Sequence, residues 1–134
     1  MSMHAVKRYQ QVNTTAIASD EILIEAYRRL VVFSKRVQDA IAKHDHNEKN
    51  RLIDLMVRAL VEIDAFFVEH LPESIVPHLL DLSRFIHQQL ALAKITAKAE
   101  YMDGPIRIFG QMQQTFIQVI DIARRQENDT TGNV

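Results

Sequence analysis

The sequence contains no cysteine. That absence excludes disulfides, thiolate nucleophiles, iron–sulfur clusters and cysteine-based zinc sites. Glycine and proline supply three residues each. That is too few to turn the hairpins of an all-β sandwich, and too few for a collagen-like or low-complexity chain. No sign of charge dominates: 16 basic and 17 acidic residues leave a net charge of −1. No global field therefore draws the chain to nucleic acid or anionic lipid. Long hydrophobic runs are missing too. The longest strictly aliphatic or aromatic stretch, Leu30 to Phe33, is about four residues, against the roughly 20 of a membrane span. Met1 to Val12 has no signal-peptide core, and neither end bears a lipidation signature. The expectation is a soluble cytoplasmic protein with no membrane insertion and no nucleic-acid partner, and the missing cysteines suit a reducing compartment.

What is present is ordinary for one globular domain: 134 residues, 47% hydrophobic and 25% charged. Four long segments repeat apolar residues at three- and four-residue steps, the period of an amphipathic helix. The first spans about Asp20 to His44, striped by Leu23, Ala26 or Tyr27, Leu30, Ser34, Val37 and Ile41, with Ser19 as the expected N-cap. The second spans about Asn47 to His70, striped by Leu52, Met56, Ala59, Ile63 and Phe66. Asp45 and Glu48 have capping-box spacing there, and the Leu71-Pro72 step ends the helix. The third spans about Ile75 to Lys98, with Ser74 as cap, Pro77 in the first turn and a stripe of Leu79, Leu82, Ile86, Leu90, Ala93 and Ala97. Asp103-Gly104-Pro105 marks a break and restart. The fourth segment then runs to about Gln126, striped by Phe109, Met112, Phe116, Val119 and Ala123.

Helices of roughly 22–25 residues are about 33–37 Å long. Four of similar length joined by short connectors favour antiparallel neighbours. The fold expected is all-α: an antiparallel up-down-up-down four-helix bundle over residues 19–126, a leader over 1–18 and a polar tail over 127–134. The leader places Val6, Tyr9, Val12 or Asn13, and Ala16 at helical steps. It is too short to be stable alone and would have to dock as a helix on the bundle.

Groupings that carry chemistry do not assemble. No Glu-x-x-His, His-Glu-x-x-His or EF-hand loop occurs, so the di-metal site common in four-helix bundles has no ligand set. His44 and His46 form a lone His-x-His in a connector. The basic pairs Lys7-Arg8, Arg28-Arg29, Lys35-Arg36 and Arg124-Arg125 are interspersed with acids and read as solvated faces. His87 lies midway along the third segment, as in histidine phosphotransfer domains. Its run His87-Gln88-Gln89-Leu90-Ala91 keeps only the small residue of their His-x-Leu-Lys-Gly pattern. No catalytic residue, cofactor or metal site is expected. Gly110 sits inside the fourth pattern, where glycine is either tolerated or marks a close helix approach.

The informative surplus is apolar. The second segment has a further stripe of Ile53, Val57, Leu60 and Phe67. The third adds Leu80, Phe85, Leu92 and Ile95, and the fourth adds Ile106, Ile117 and Ile120 around Gly110. An edge helix needs an apolar face of about 100°. Wider faces imply a broad core, a homodimer, or a groove for another helix.

The order of motifs resembles the FliS family of flagellar export chaperones, over roughly Tyr9 to Arg125. That family has a tyrosine-bearing leader, then Thr-Ala-Ser-Pro-x-Glu-Leu and a Leu-Tyr on its first helix. Here the run is Ala16-Ile17-Ala18-Ser19-Asp20-Glu21-Ile22, followed by Ala26-Tyr27. Leu79-Leu80-Asp81-Leu82-Ser83, Ile86 and Leu90-Ala91-Leu92-Ala93 follow the family's third-helix pattern, with Ser83 in place of a tyrosine. Arg28-Arg29 replaces an acidic-glycine pair, Val6 a leader tyrosine, and Phe116 or Ile117 stands near the family's tryptophan.

The resemblance implies a non-enzymatic cytoplasmic chaperone. It would bind the C-terminal segment of flagellin, prevent premature polymerisation and deliver it to the export gate of the flagellar type III apparatus. The implied partners are that segment and export gate components. On this reading Ile53, Leu60 and Phe67 line the client groove, Leu92, Ile106 and Ile117 add contacts, and Tyr9 and Val12 anchor a leader acting as a lid. Phe67→Asp is then expected to weaken client binding with helicity intact. The alternatives are a self-associating adaptor bundle and a phosphotransfer domain using His87.

Overall fold

A computed structural model describes the backbone of residues 3–132 and the side chains of residues 19–126, 128 and 129. The described residues form four α-helices, α1 (Met3–Ala42), α2 (His46–His70), α3 (Val76–Thr96) and α4 (Asp103–Gly132), with a short 3-10 turn at Ala99–Met102. No strand occurs among the described residues. The all-α four-helix fold is as the periodicity predicts.

Polar links fix the directions of the helices. Gln38 near the end of α1 donates to Ala99 O at 3.3 Å and to Asp103 Oδ1 at 3.0 Å, where α4 begins. Glu21 of α1 pairs with Arg124 far along α4. These two helices are therefore antiparallel. Lys49 at the start of α2 donates to Lys94 O at the end of α3 (2.7 Å), and Ser83 of α3 donates to Asp64 Oδ2 in α2 (2.7 Å). That pair is antiparallel as well. α1 packs along both α2 and α4, α2 packs on α3, and α3 and α4 meet over the shortest stretch.

The core follows the period of 3.6 residues per turn. Leu23, Tyr27, Leu30, Ser34, Val37 and Ile41 of α1 are all buried, as expected. Ser34 satisfies its hydroxyl on Leu30 O at 2.7 Å. The buried Lys49 ammonium sits against a carbonyl in the last turn of α3, where the helix dipole favours a cation.

Several helix ends differ from expectation. Ser19 is inside α1 rather than its cap, because nothing between Met3 and Ala18 breaks a helix. α1 ends at Ala42, and His44 in the turn that follows takes a left-handed φ (56°) usually given to glycine. Asp45 caps α2 by accepting from Glu48 N at 3.1 Å, but Glu48 turns to Arg51 instead of closing a capping box. α3 starts without a side-chain cap from Ser74. It ends at Ala97, which is left-handed (φ 54°), ahead of Asp103-Gly104-Pro105, and Asp103 already belongs to α4. Segments 1–18 and 127–134 have helical backbone from Met3 and up to Gly132. Their side chains, Asn128 and Asp129 aside, lie outside the described residues.

In α3 Ile86, Leu90 and Ala93 of the expected stripe are buried, and the stripe departs from expectation at one position. Leu82 is exposed and Ser83 is buried. The Asp64 carboxylate makes this possible, since it accepts the buried hydroxyl. Gly110 marks no close approach: a Cβ there would meet nothing within 4 Å, and its φ is not positive. Gly110→Ala is therefore expected to stabilise the protein by up to about 1 kcal/mol. The thermal midpoint should rise by roughly 2–5 °C in calorimetry.

Candidate functional site

A trough runs between α1 and α2. It consists of two adjoining hollows of about 660 and 290 Å³. Ile22, Ala26 and Ala59 line both. Phe33 closes one end and Phe66 the other. The helical period explains the shape. Ile22, Ala26 and Phe33 recur along one edge of α1, and Ala59 and Phe66 along the facing edge of α2. The two alanines hold no bulk at the waist, so a third helix can approach the backbones there. From Ile22 to Phe33 is roughly 16 Å, about three helical turns. Ile22 is 70% exposed, so the trough is open to solvent at that side chain.

The rim is charged and mostly paired. Glu25 accepts from Arg28 (2.6 and 2.8 Å) and from Arg29 (3.2 Å). The Arg28 hydrogen bond, aided by the Arg29 bond and the two positive charges, lowers the Glu25 carboxyl to about 2. A depressed folded-state value means the pair's contribution is present above the ordinary carboxylate range and is lost as pH falls through about 2. A carboxyl NMR titration should show Glu25 still ionised at pH 3.5. Arg36 stacks on the Phe33 ring at 5.8 Å.

The residues expected to line a groove fall elsewhere. Ile53, Leu60 and Phe67 are 1%, 2% and 3% exposed and belong to the core. Their stripe faces inward because α2 is packed by both α1 and α3, so its buried face is wide. Phe67 stacks on Phe116 (6.4 Å between centroids), which stacks in turn on Tyr27 (6.0 Å). Ile106 and Ile117 are half-buried on α4. Leu92 is exposed on α3, away from the trough. The side chains of Tyr9 and Val12 lie outside the described residues. Periodicity alone assigns Ala59 and Phe66 to the core, against which both do pack, and gives no site role to Ile22, Ala26 or Phe33. Their shared helical spacing was the available signal.

α3 carries a second apolar surface. Ile75, Leu82, Phe85, Leu92 and Ile95 are all exposed. Between the four helices lies a cavity of about 20 Å³ bordered by Tyr27, Asp64 and Ser83, room for about one water molecule. Burial, and then the Asp64 charge, push the Tyr27 phenol above its ordinary value. His87 Nε2 lies 3.7 Å from Asp64 Oδ2. A phosphoryl group on that nitrogen would face a carboxylate. Among the described residues no cluster of three His, Asp or Glu could hold a metal ion, and no helix is long and apolar enough to cross a membrane.

A family model described as "Flagellar protein FliS" matches residues 2–123. No curated protein and no solved structure matches the chain.

Proposed function

The chain belongs to the FliS family of flagellar proteins, and from that premise we propose that it is a non-enzymatic cytoplasmic export chaperone whose α1–α2 trough holds a helical stretch of the flagellin C-terminal segment. The observation that carries this reading is the trough itself: apolar, about three turns long, narrow-waisted at Ala26 and Ala59, and open at Ile22. Such a shape suits an amphipathic helix with anchors at i, i+4 and i+7. Occupying it would cover apolar surface on the segment and keep that segment from pairing with other flagellin copies. Delivery to the export gate follows from the family role. Binding draws on apolar burial, offset by the cost of ordering the client.

The test is calorimetric titration of the full chain with a synthetic flagellin C-terminal segment. Saturable one-to-one binding with a negative heat-capacity change and a gain of helix in circular dichroism is expected. No binding at tens of micromolar, on the order expected of a weak helix–groove complex, would overturn the proposal.

A further inference from the structure

The two ends of the α1–α2 trough differ in charge. Ile22, Ala26, Arg29, Phe33 and Arg36 follow one another along α1 at steps of four and three residues, so they share one edge of that helix. α2 returns along α1 after the turn at 43–45, and Ala59, Glu62 and Phe66 share its facing edge. Glu62 therefore borders the hollow at the Ile22 end. Arg36 stands one turn past Phe33 at the other end, its guanidinium 5.8 Å from the ring centroid. From Ile22 to Arg36 is roughly 21 Å, about four turns of helix.

Most of the charge along the rim is already committed. Glu21 pairs with Arg124 of α4. Glu25 takes both Arg28 and Arg29. Glu48 lies near enough to Arg36 to feel its charge, but it accepts both hydrogen bonds of Arg51, at 2.6 and 2.8 Å. Glu62 and Arg36 are left. Both are exposed, and among the described residues neither has a hydrogen bond or an ion pair within the chain. One free carboxylate thus marks one end of the trough, and one free guanidinium the other.

A helix laid between them has a sense that can use this difference. Its first four amide N–H groups and its last four carbonyls have no partner inside the helix. They are equivalent to about half a positive and half a negative charge. An ionised carboxylate only accepts hydrogen bonds and suits the first end, while a guanidinium only donates and suits the second. Laid the other way, the carboxylate would face carbonyl oxygens and the guanidinium would face amide hydrogens. A helix of about 14 residues reaches from one charge to the other.

We propose that Glu62 and Arg36 set the direction of the bound client helix, its N-terminal turn at Glu62 and its C-terminal turn at Arg36. The helix then runs parallel to α1 and antiparallel to α2. This direction rests on the trough being the client site, and adds two specificity-determining residues to it.

The chain has no cysteine of its own, which makes the direction measurable. Ser19→Cys places a thiol at the Glu62 end. Leu55→Cys, one turn before Ala59 on α2 and 38% exposed, places one toward the Phe33 end. Flagellin C-terminal segments with acetylated and amidated ends carry a single cysteine, in either the first or the last turn of their amphipathic stretch. On mild oxidation, Ser19→Cys should link the first-turn peptide at least about fivefold more than the last-turn peptide. Leu55→Cys should show the opposite preference. Glu62→Arg combined with Arg36→Glu exchanges the two charges and leaves the apolar walls intact. In both cysteine variants that exchange should shift the preference toward the reverse direction by about tenfold or more. Both side chains are exposed, so helical circular dichroism should match wild type. Reversed linking before the exchange, equal linking at both ends, or a preference unmoved by the exchange would overturn the direction while the trough remained the client site. A segment that binds in calorimetry yet links at neither end lies outside the trough, which overturns the trough reading and the direction with it. Whether any cross-link forms tells the two failures apart.

Discussion

Ile22→Asp is expected to weaken binding of the flagellin C-terminal segment by roughly 100-fold while barely changing the stability of the free protein. The two effects separate because of where the side chain sits. Ile22 is 70% exposed in the free chain, and substitutions at such positions usually change stability by no more than about 0.5 kcal/mol. In the complex the same side chain would be enclosed between the trough and the client helix. A carboxylate there loses the apolar contact and must also be desolvated without a partner. Glu21 and Glu25 already place acid on that rim, so the new charge gains nothing from its neighbours. A 100-fold loss corresponds to about 2.7 kcal/mol, within the range of an interface anchor. Ala59→Leu approaches the same test from the other wall by filling the waist without adding charge. Calorimetric titration of both variants, alongside thermal melts, decides the matter. Unchanged affinity in both would remove the α1–α2 trough as the client site, even if the wild-type chain binds.

Much of the fold could be read from periodicity, and the exceptions have identifiable physical causes. The α1 stripe from Leu23 to Ile41 is buried as the 3.6-residue spacing requires. Asp45 was legible as a cap because its side chain acts within three residues. What could not be read locally depends on partners distant in sequence. Ser83 displaces Leu82 from the core because Asp64, on another helix, accepts its hydroxyl. The start of α1 was misplaced because a serine followed by acids signals a cap only if the helix does not already run through it.

The candidate site was harder to read. Periodicity tells which residues share a face of a helix, but not how many neighbours that face meets. α2 has two, and so its second stripe became core. The trough owes its depth to Ala26 and Ala59, whose meaning lies in facing each other across two helices. Family motifs included Ile22, yet nothing in their spacing distinguished an exposed anchor from a core residue.

Phe67→Asp, read from sequence as a selective binding variant, is instead expected to damage the fold itself. The ring is 3% exposed and lies 6.4 Å from both Phe116 and Phe66, centroid to centroid. Removing a buried phenylalanine side chain costs about 3–5 kcal/mol. Placing a carboxylate in the gap adds a desolvation penalty of several kcal/mol unless the group is protonated. The nearby Asp64, which also borders the cavity next to Phe67, would oppose a second negative charge. Against a total stability on the order of 5–15 kcal/mol, a loss above about 5 kcal/mol leaves a marginal or unfolded chain. The thermal midpoint should fall by at least about 10 °C, with loss of helical signal at 37 °C. Phe67→Leu keeps most of the apolar volume and should remain folded, with client affinity close to wild type. If Phe67→Asp instead melts within a few degrees of wild type and only binding suffers, the ring belongs to the client surface. The packing of α2 between α1 and α3 would then have to open to admit the client.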